Sequence, residues 1–233
     1  MSYSYDTLFL LFMLYSIMGW LLEVTCKLIE KHKFINRGFL IGLYCPIYGH
    51  GAILMILLLI KYQSDPLLLF TMSIVICSIL EYFTSYIMEK IFKARWWDYS
   101  RRKFNINGRI CLETMIPFGL LGMLIIYVIN PVFVNLLARL SPNLTYTLAV
   151  ILSAIYIADN IISFKIIYKF RSSIKLHEKD STEQISKLVK EEFLNRNILY
   201  KRLIKAFPNF KGRKEYLIEL RNRINSKLEK TNK

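Results

Sequence analysis

The chain has 233 residues, 54% of them hydrophobic, yet it carries 32 Lys+Arg against 17 Asp+Glu, a formal charge of +15. A soluble domain is about 45–50% apolar with its charge dispersed, whereas residues 171–233 alone hold 17 of the basic and 8 of the acidic residues, and the rest contains apolar runs longer than a soluble helix tolerates. These figures exclude a disordered chain and a disulfide scaffold, argue against a soluble enzyme, and leave a polytopic membrane protein with a basic tail.

A bilayer core requires about 20 apolar residues in helical form. Five segments meet that requirement, at about 7–27, 38–60, 67–90, 114–137 and 145–168. Ser64-Asp65-Pro66 and Ser141-Pro142-Asn143 supply turn chemistry between spans. The predicted fold class is all-α: a polytopic membrane helix bundle of five transmembrane helices over residues 1–170, followed by a cytoplasmic basic helical tail over 171–233. The first apolar stretch lacks a basic leader and a small-residue cleavage site, so it is expected to stay as the first span.

The basic residues assign sides. The stretch before the first span has no Lys or Arg, and the successive loops have four, one, seven and one before the heavily basic tail. Lys and Arg concentrate on the cytoplasmic side. The alternation therefore predicts an extracellular N-terminus and a cytoplasmic C-terminus. Asn143-Leu144-Thr145 matches a glycosylation acceptor on the outer side, which carries no meaning in a bacterial protein.

Ionisable groups within membrane spans are expensive and face partners or watery cavities. In the first span Ser16, Gly19, Glu23 and Cys26 share a helical face. In the third, Glu81, Ser85 and Glu89 follow at i, i+4, i+8, with Ser78 one turn before. In the fifth, Ser153, Tyr156, Asn160 and Ser163 align, with Asp159 adjacent. The three stripes are expected to meet in the bundle interior. Glu113 opens the fourth span, where a carboxylate suits the positive helix N-terminus. With Arg37 and Arg109 entering from the same side, the acids outline a cytoplasm-facing polar cavity for a cation, a proton or a polar substrate. The alternative is a set of ion pairs that fix helix register.

The second span is irregular. Gly38 and Gly42 form a small-xxx-small pair, and Pro46, Gly49 and Gly51 follow. Proline breaks or kinks a helix, and transporters use such breaks at substrate sites. A plain kink explains the same residues. His50 is a candidate proton relay or a hydrogen-bonded structural histidine.

The loop between the third and fourth spans holds Arg95-Trp96-Trp97-Asp98-Tyr99-Ser100. Trp96, Trp97, Asp98 and Tyr99 read as interfacial, since Trp and Tyr favour the headgroup level. Asn105, Asn107, Gly108 and Arg109 read as a tight polar turn, with a re-entrant segment as the expectation. The four cysteines and three histidines show no metal-ligand spacing, so no metal or cofactor is expected.

Several segments together resemble a known family: Gly19-Trp20 with Glu23, Asn36-Arg37-Gly38-Phe39-Leu40, Tyr44-Cys45-Pro46-Ile47-Tyr48-Gly49, Glu81-Tyr82, Trp96-Trp97-Asp98-Tyr99-Ser100 and Phe104-Asn105-Ile106-Asn107-Gly108-Arg109-Ile110-Cys111. They are similar to the bacterial family labelled "putative ABC-transporter type IV", also called CmpB-like, over about residues 5–170. The resemblance implies a permease-like component of the bacterial plasma membrane. The family label describes no established substrate or catalytic residue. No G-x-x-x-x-G-K-[ST] phosphate loop occurs, so ATP hydrolysis would need a separate ATPase subunit. Five spans are few for a complete permease, which points to a homo-oligomer or a partner.

In the tail, apolar residues recur at helical spacing over 181–207 and again over about 213–230. Such basic amphipathic helices lie on anionic lipid or dock on a partner. Nucleic acid is disfavoured, because the tail has few aromatics for stacking. Glu191-Glu192 with Arg196 matches a string found in intramembrane proteases, but it sits outside the spans and lacks partner histidines.

The functional expectation is thus a transport-related permease-like protein whose candidate binding residues are Glu23, Asn36, Arg37, His50, Glu81, Asn105, Asn107, Arg109, Glu113 and Asp159. The alternative is a non-catalytic membrane scaffold or regulatory subunit. An enzyme is disfavoured, because no nucleophile–base pair or metal set can be assembled.

Overall fold

The computed structural model describes residues 3–32, 40–92, 94–95, 97–177 and 211–212. Among the candidate residues, Asn36, Arg37 and Trp96 lie outside this set, as does nearly all of the predicted tail.

Six helices account for most of the described chain. Helix α1 is Tyr5–Lys31, α2 is Pro46–Leu59 and α3 is Pro66–Phe92. Helix α4 is Leu112–Leu124, α5 is Asn130–Ala138 and α6 is Pro142–His177. A five-residue π-turn, Ile125–Ile129, joins α4 to α5 as one continuous rod. Pro131 explains its position, because proline cannot donate to the carbonyl four residues back.

Helix starts follow from local chemistry. Pro66 and Pro142 occupy first-turn positions, where the missing N–H costs nothing. Asp65 accepts a hydrogen bond from the Leu68 N–H (3.0 Å), and the Ser141 hydroxyl oxygen accepts one from the Leu144 N–H (3.4 Å). Both are side-chain caps of orphan donors.

Among the described residues, four helical segments are long and apolar enough to cross a bilayer: Tyr5–Ile29, Pro66–Ile91, Leu112–Ala138 and Pro142–Lys165. The segment expected as the second span, at about 38–60, differs. Its helix starts only at Pro46 and ends with a 3₁₀ turn, Ile60–Tyr62. At 1.5 Å per residue, Pro46–Tyr62 reaches about 25 Å, short of the roughly 30 Å hydrocarbon core. Pro46 is therefore the first residue of a helix and not a kink within one. Cys45 before it is extended (φ −118°, ψ 97°), as residues preceding proline are.

Helices α1 and α2 run in opposite directions, as do α3 and α4, so the C-terminal ends of α1 and α3 adjoin the N-terminal ends of α2 and α4. The Tyr48–Glu23 and Arg109–Glu89 contacts show this. The main core is built from Leu11, Tyr15, Met55, Ile56 and Leu69, drawn from three helices and sealed by Ile125, Ile126, Leu137 and Ala149. The opposite surfaces expose many large apolar residues, among them Leu57, Phe83, Leu120 and Ile155. A water-soluble protein does not leave apolar patches of that extent uncovered, so the bundle is that of a membrane protein.

Two small sheets depart from the all-α expectation. Strands β2 (Asn105–Ile106) and β3 (Ile110–Cys111) form an antiparallel hairpin. Asn107 (φ 52°) and Gly108 (φ 67°) occupy its turn. Asn-Gly is the favoured pair where both central residues need positive φ, so the polar turn is a hairpin tip. Strand β1 (Ala94–Arg95) pairs antiparallel with β4 (Lys211–Gly212).

Candidate functional site

Most of the described candidate polar residues fall into three arrangements. The expectation that the polar stripes of the first, third and fifth spans meet at one place is not what the structure shows. Helix α6 sets Asp159 against the segment preceding α2, apart from Glu23 of α1 and Glu81 of α3.

The first arrangement is an Asp159 cage. Its Oδ1 accepts from the Ile41 N–H (2.9 Å) and the Ser163 hydroxyl (2.8 Å). Its Oδ2 accepts from the Gly42 N–H (2.7 Å) and the Tyr44 phenol (2.5 Å). Residues 41–45 belong to neither helix nor sheet, and their amides need partners in an apolar setting. Asp159 supplies two, and the Ser16 carbonyl of α1 accepts from the Cys45 N–H (2.8 Å). A carboxylate with four donors on it is a structural clamp for irregular backbone.

The second arrangement is the hairpin docked on α3. Arg109 is buried, donates to Glu89 Oε2 (2.8 Å) and Ser85 Oγ (3.1 Å), and lies over the rings of Tyr82 and Tyr86. Its own carbonyl accepts from Trp97 Nε1 (3.1 Å). Asn107 at the tip donates to the Tyr82 hydroxyl (2.9 Å), and Asn105 accepts from the Gly108 N–H (2.9 Å). Glu113 lies outside this cluster, in an exposed ion pair with Arg102 (2.7 Å). Exposed pairs of that kind contribute little. Asp98 is also exposed and accepts from the Ser100 N–H and hydroxyl (both 3.0 Å).

The third arrangement is a cavity of about 140 Å³ between α1, α2, α3 and α4. Glu23 and Glu81 both line it, each held by a tyrosine. The Tyr48 phenol donates to Glu23 Oε1 (2.8 Å), and the Tyr99 phenol donates to Glu81 Oε1 (3.1 Å). Burial and the neighbouring Glu81 carboxylate push the Tyr99 hydroxyl well above its usual range, so it stays a donor. Glu81 is 7% exposed, and its Oε2 is buried with no hydrogen-bond partner. An unmade bond on a buried carboxylate oxygen costs several kcal/mol relative to water. Among the described residues the Ser73 and Ser78 hydroxyls are also buried without a partner, but of the three only Glu81 lines the cavity. The rest of the wall is mostly apolar, with Tyr15, Trp97 and Phe118 adding aromatic faces.

His50 lies outside the cavity wall, on an exposed face with its ring 4.9 Å from that of Phe12. Two buried residues without a role in the sequence reading stand out. The Tyr15 phenol donates to Asn130 Oδ1 (3.3 Å), and Asn130 Nδ2 donates to the Tyr3 hydroxyl (3.4 Å). The Asn-Pro pair within an apolar run was the available signal for Asn130. Tyr44 and Tyr48 sat in a recognised run, but only the folded chain shows that their hydroxyls hold carboxylates.

Among the described residues, no three His, Cys, Asp or Glu side chains are grouped so as to hold a metal ion. No curated protein and no solved structure shows significant similarity to the chain. Comparison with family profiles, however, matches residues 10–164 to the family described as "Putative ABC-transporter type IV". That match covers most of the chain, including all four long apolar helices in whole or nearly so and each of the three polar arrangements. The chain is therefore a member of the putative ABC-transporter type IV family of membrane proteins.

Proposed function

We propose that the protein is a transport-related, permease-like membrane component, and that the Glu23–Glu81 cavity is its cation-accepting site. The observation that carries this reading is Glu81, a buried carboxylate with one oxygen unpartnered at the wall of a cavity. Glu23 places a second carboxyl group at the wall of the same cavity. Family membership and the long apolar helices support the membrane role.

The orientation follows from charge. The cavity lies at the end of the bundle that carries the basic loop of residues 90–109, and basic loops favour the cytoplasm. The site then opens toward the cytoplasmic half, the N-terminus is extracellular and the C-terminus is cytoplasmic. Residues 1–170 form the membrane unit, and 171–233 a basic tail for anionic lipid or a partner. Without a phosphate loop in the sequence, an ATP-driven cycle would draw on a separate ATPase subunit, and homo-oligomers would supply further spans.

A scaffold or regulatory role is the second reading. The four donors on Asp159 and the buried Arg109–Glu89 pair favour it, because both groups serve the fold. Glu81→Gln separates the two. In the transport reading the variant accumulates in the membrane at the normal level and proteoliposomes lose cation uptake. In the scaffold reading uptake is absent from the parent protein, and the variant alters only accumulation.

A further inference from the structure

The lining of the Glu23–Glu81 cavity narrows the class of cation. A hydrated or coordinated metal ion requires many oxygens: calcium takes six to eight and magnesium near-ideal octahedral geometry. The cavity offers two carboxylates, and each already has an oxygen accepting a phenol. Around them the wall is built from Met18, Met55, Ala52, Leu80 and Leu121 together with aromatic rings. Such a wall solvates hydrocarbon and leaves a bare inorganic ion without ligands.

An ammonium group attached to a small apolar body matches each part. Its charge and N–H donors suit Glu81 Oε2. The aromatic faces of Tyr48, Trp97 and Tyr99 attract a cation through their ring quadrupoles, the principle of aromatic cages for alkylammonium groups. The two phenol–carboxylate bonds fix the Tyr48 and Tyr99 rings before any ligand arrives, which lowers the ordering cost of binding. The volume agrees as well, since an apolar cavity of about 150 Å³ admits a benzene-sized molecule.

We propose that this cavity binds a small organic ammonium ion of about six non-hydrogen atoms or fewer, with Glu81 as its anionic anchor and the Tyr48, Trp97 and Tyr99 rings as its walls. The assignment rests on the reading of the cavity as a cation site, and it is tested so that the two can fail separately. The full chain, purified in lipid nanodiscs, is titrated calorimetrically with n-butylammonium, tetramethylammonium, sodium, potassium and the uncharged 1-butanol.

The expected result is binding of at least one ammonium ion ten-fold or more tighter than sodium, potassium or 1-butanol, with a loss of ten-fold or more in Glu81→Gln. Equal, Glu81-dependent binding of sodium or potassium overturns the ammonium class and leaves the cation site standing. Binding of 1-butanol as tight as n-butylammonium, or binding unaffected by Glu81→Gln, overturns both. Gly51→Ala provides a second variant should Glu81→Gln fail to fold. Gly51 lines the cavity, and a Cβ there meets only the Leu80 side chain at ordinary contact distance (3.4 Å). The added methyl removes ligand space from a stable helix. Tetramethylammonium affinity should fall several-fold, and an unchanged affinity places the ligand elsewhere.

Discussion

The Tyr44 phenol donates a 2.5 Å hydrogen bond to Asp159, joining the segment before α2 to the middle of α6 across 115 residues of sequence. This bond completes the four-donor cage that makes non-helical backbone tolerable in an apolar bundle. Asn at position 159 would keep one carbonyl oxygen and point an NH₂ at donors. Hydrogen bonds to a charged group contribute about 1.5–3 kcal/mol each. Asp159→Asn, which disturbs several of these bonds, is therefore expected to destabilise the protein by roughly 3 kcal/mol or more, and Ser163→Ala, which removes one, by about 1.5–3 kcal/mol. Thermal unfolding in nanodiscs checks the order. Asp159→Asn unfolding at the parent temperature would remove the clamp from the account.

Arg109 and Glu89 form a largely buried pair, with side-chain exposures of 9% and 17%. Removing one partner of such a pair leaves an uncompensated charge, at a cost of about 3–5 kcal/mol. Replacing both by apolar residues of similar size is often near neutral. The double variant Arg109→Met/Glu89→Met should then be more stable than either single substitution. Arg109→Lys should also be destabilising, because an ammonium cannot bridge Glu89 and Ser85 while stacking between Tyr82 and Tyr86. A double-variant cycle measures the coupling, and additive losses would argue against it.

Three glycines give opposite expectations despite similar helical settings. Helix propensity favours alanine over glycine by about 1 kcal/mol. At Gly49 a Cβ would overlap the Ser16 hydroxyl and the Phe12 backbone carbonyl, and at Gly19 it would overlap the Tyr48 ring. Overpacking costs about 1–3 kcal/mol, so Gly49→Ala and Gly19→Ala should lower the unfolding temperature. Gly51→Ala should hold or raise it. Equal effects at all three positions would show that α1 and α2 do not pack this closely.

Orientation is open to cysteine labelling. Cys26 is the exposed native cysteine among four, the others being buried, so Cys26→Ser gives a quiet background. An impermeant maleimide added to intact cells should label Lys61→Cys but not Lys103→Cys or Lys230→Cys. The last two should react after permeabilisation. Labelling of Lys230→Cys from outside would reverse the orientation.

Much of the bundle was legible because bilayer length and proline-capped helix starts are local properties. Tyr5–Ile29, Pro66–Ile91, Leu112–Ala138 and Pro142–Lys165 follow from apolar length alone, and Asp65-Pro66 and Ser141-Pro142 mark helix starts by their own chemistry. The early end of the helical pattern before Pro46 was harder. Residues 40–45 are as apolar as a helix would be, and the carboxylate that holds them outside a helix lies more than 110 residues away. The hairpin was announced by Asn107-Gly108 but hidden by the surrounding helical context. Helical spacing could place Glu23 on one face of α1 and Glu81 and Glu89 on one face of α3. Which of them is bonded to saturation and which is left wanting depends on tyrosines from other elements, and no spacing rule encodes that.

The π-turn at Ile125–Ile129 has a consequence for how one rod serves two neighbours. A wide turn acts like a single inserted residue, shifting the facing of everything beyond it by about 100°. Before it, Gly119 and Gly122 press against Phe70 and Ser73 of α3. After it, Asn130 and Phe133 meet Tyr15 of α1. Phase slippage along a single rod thus lets α4 and α5 fasten the cavity wall to α3 at one end and to α1 at the other, and a one-residue deletion within the turn would rotate Asn130 out of reach of Tyr15.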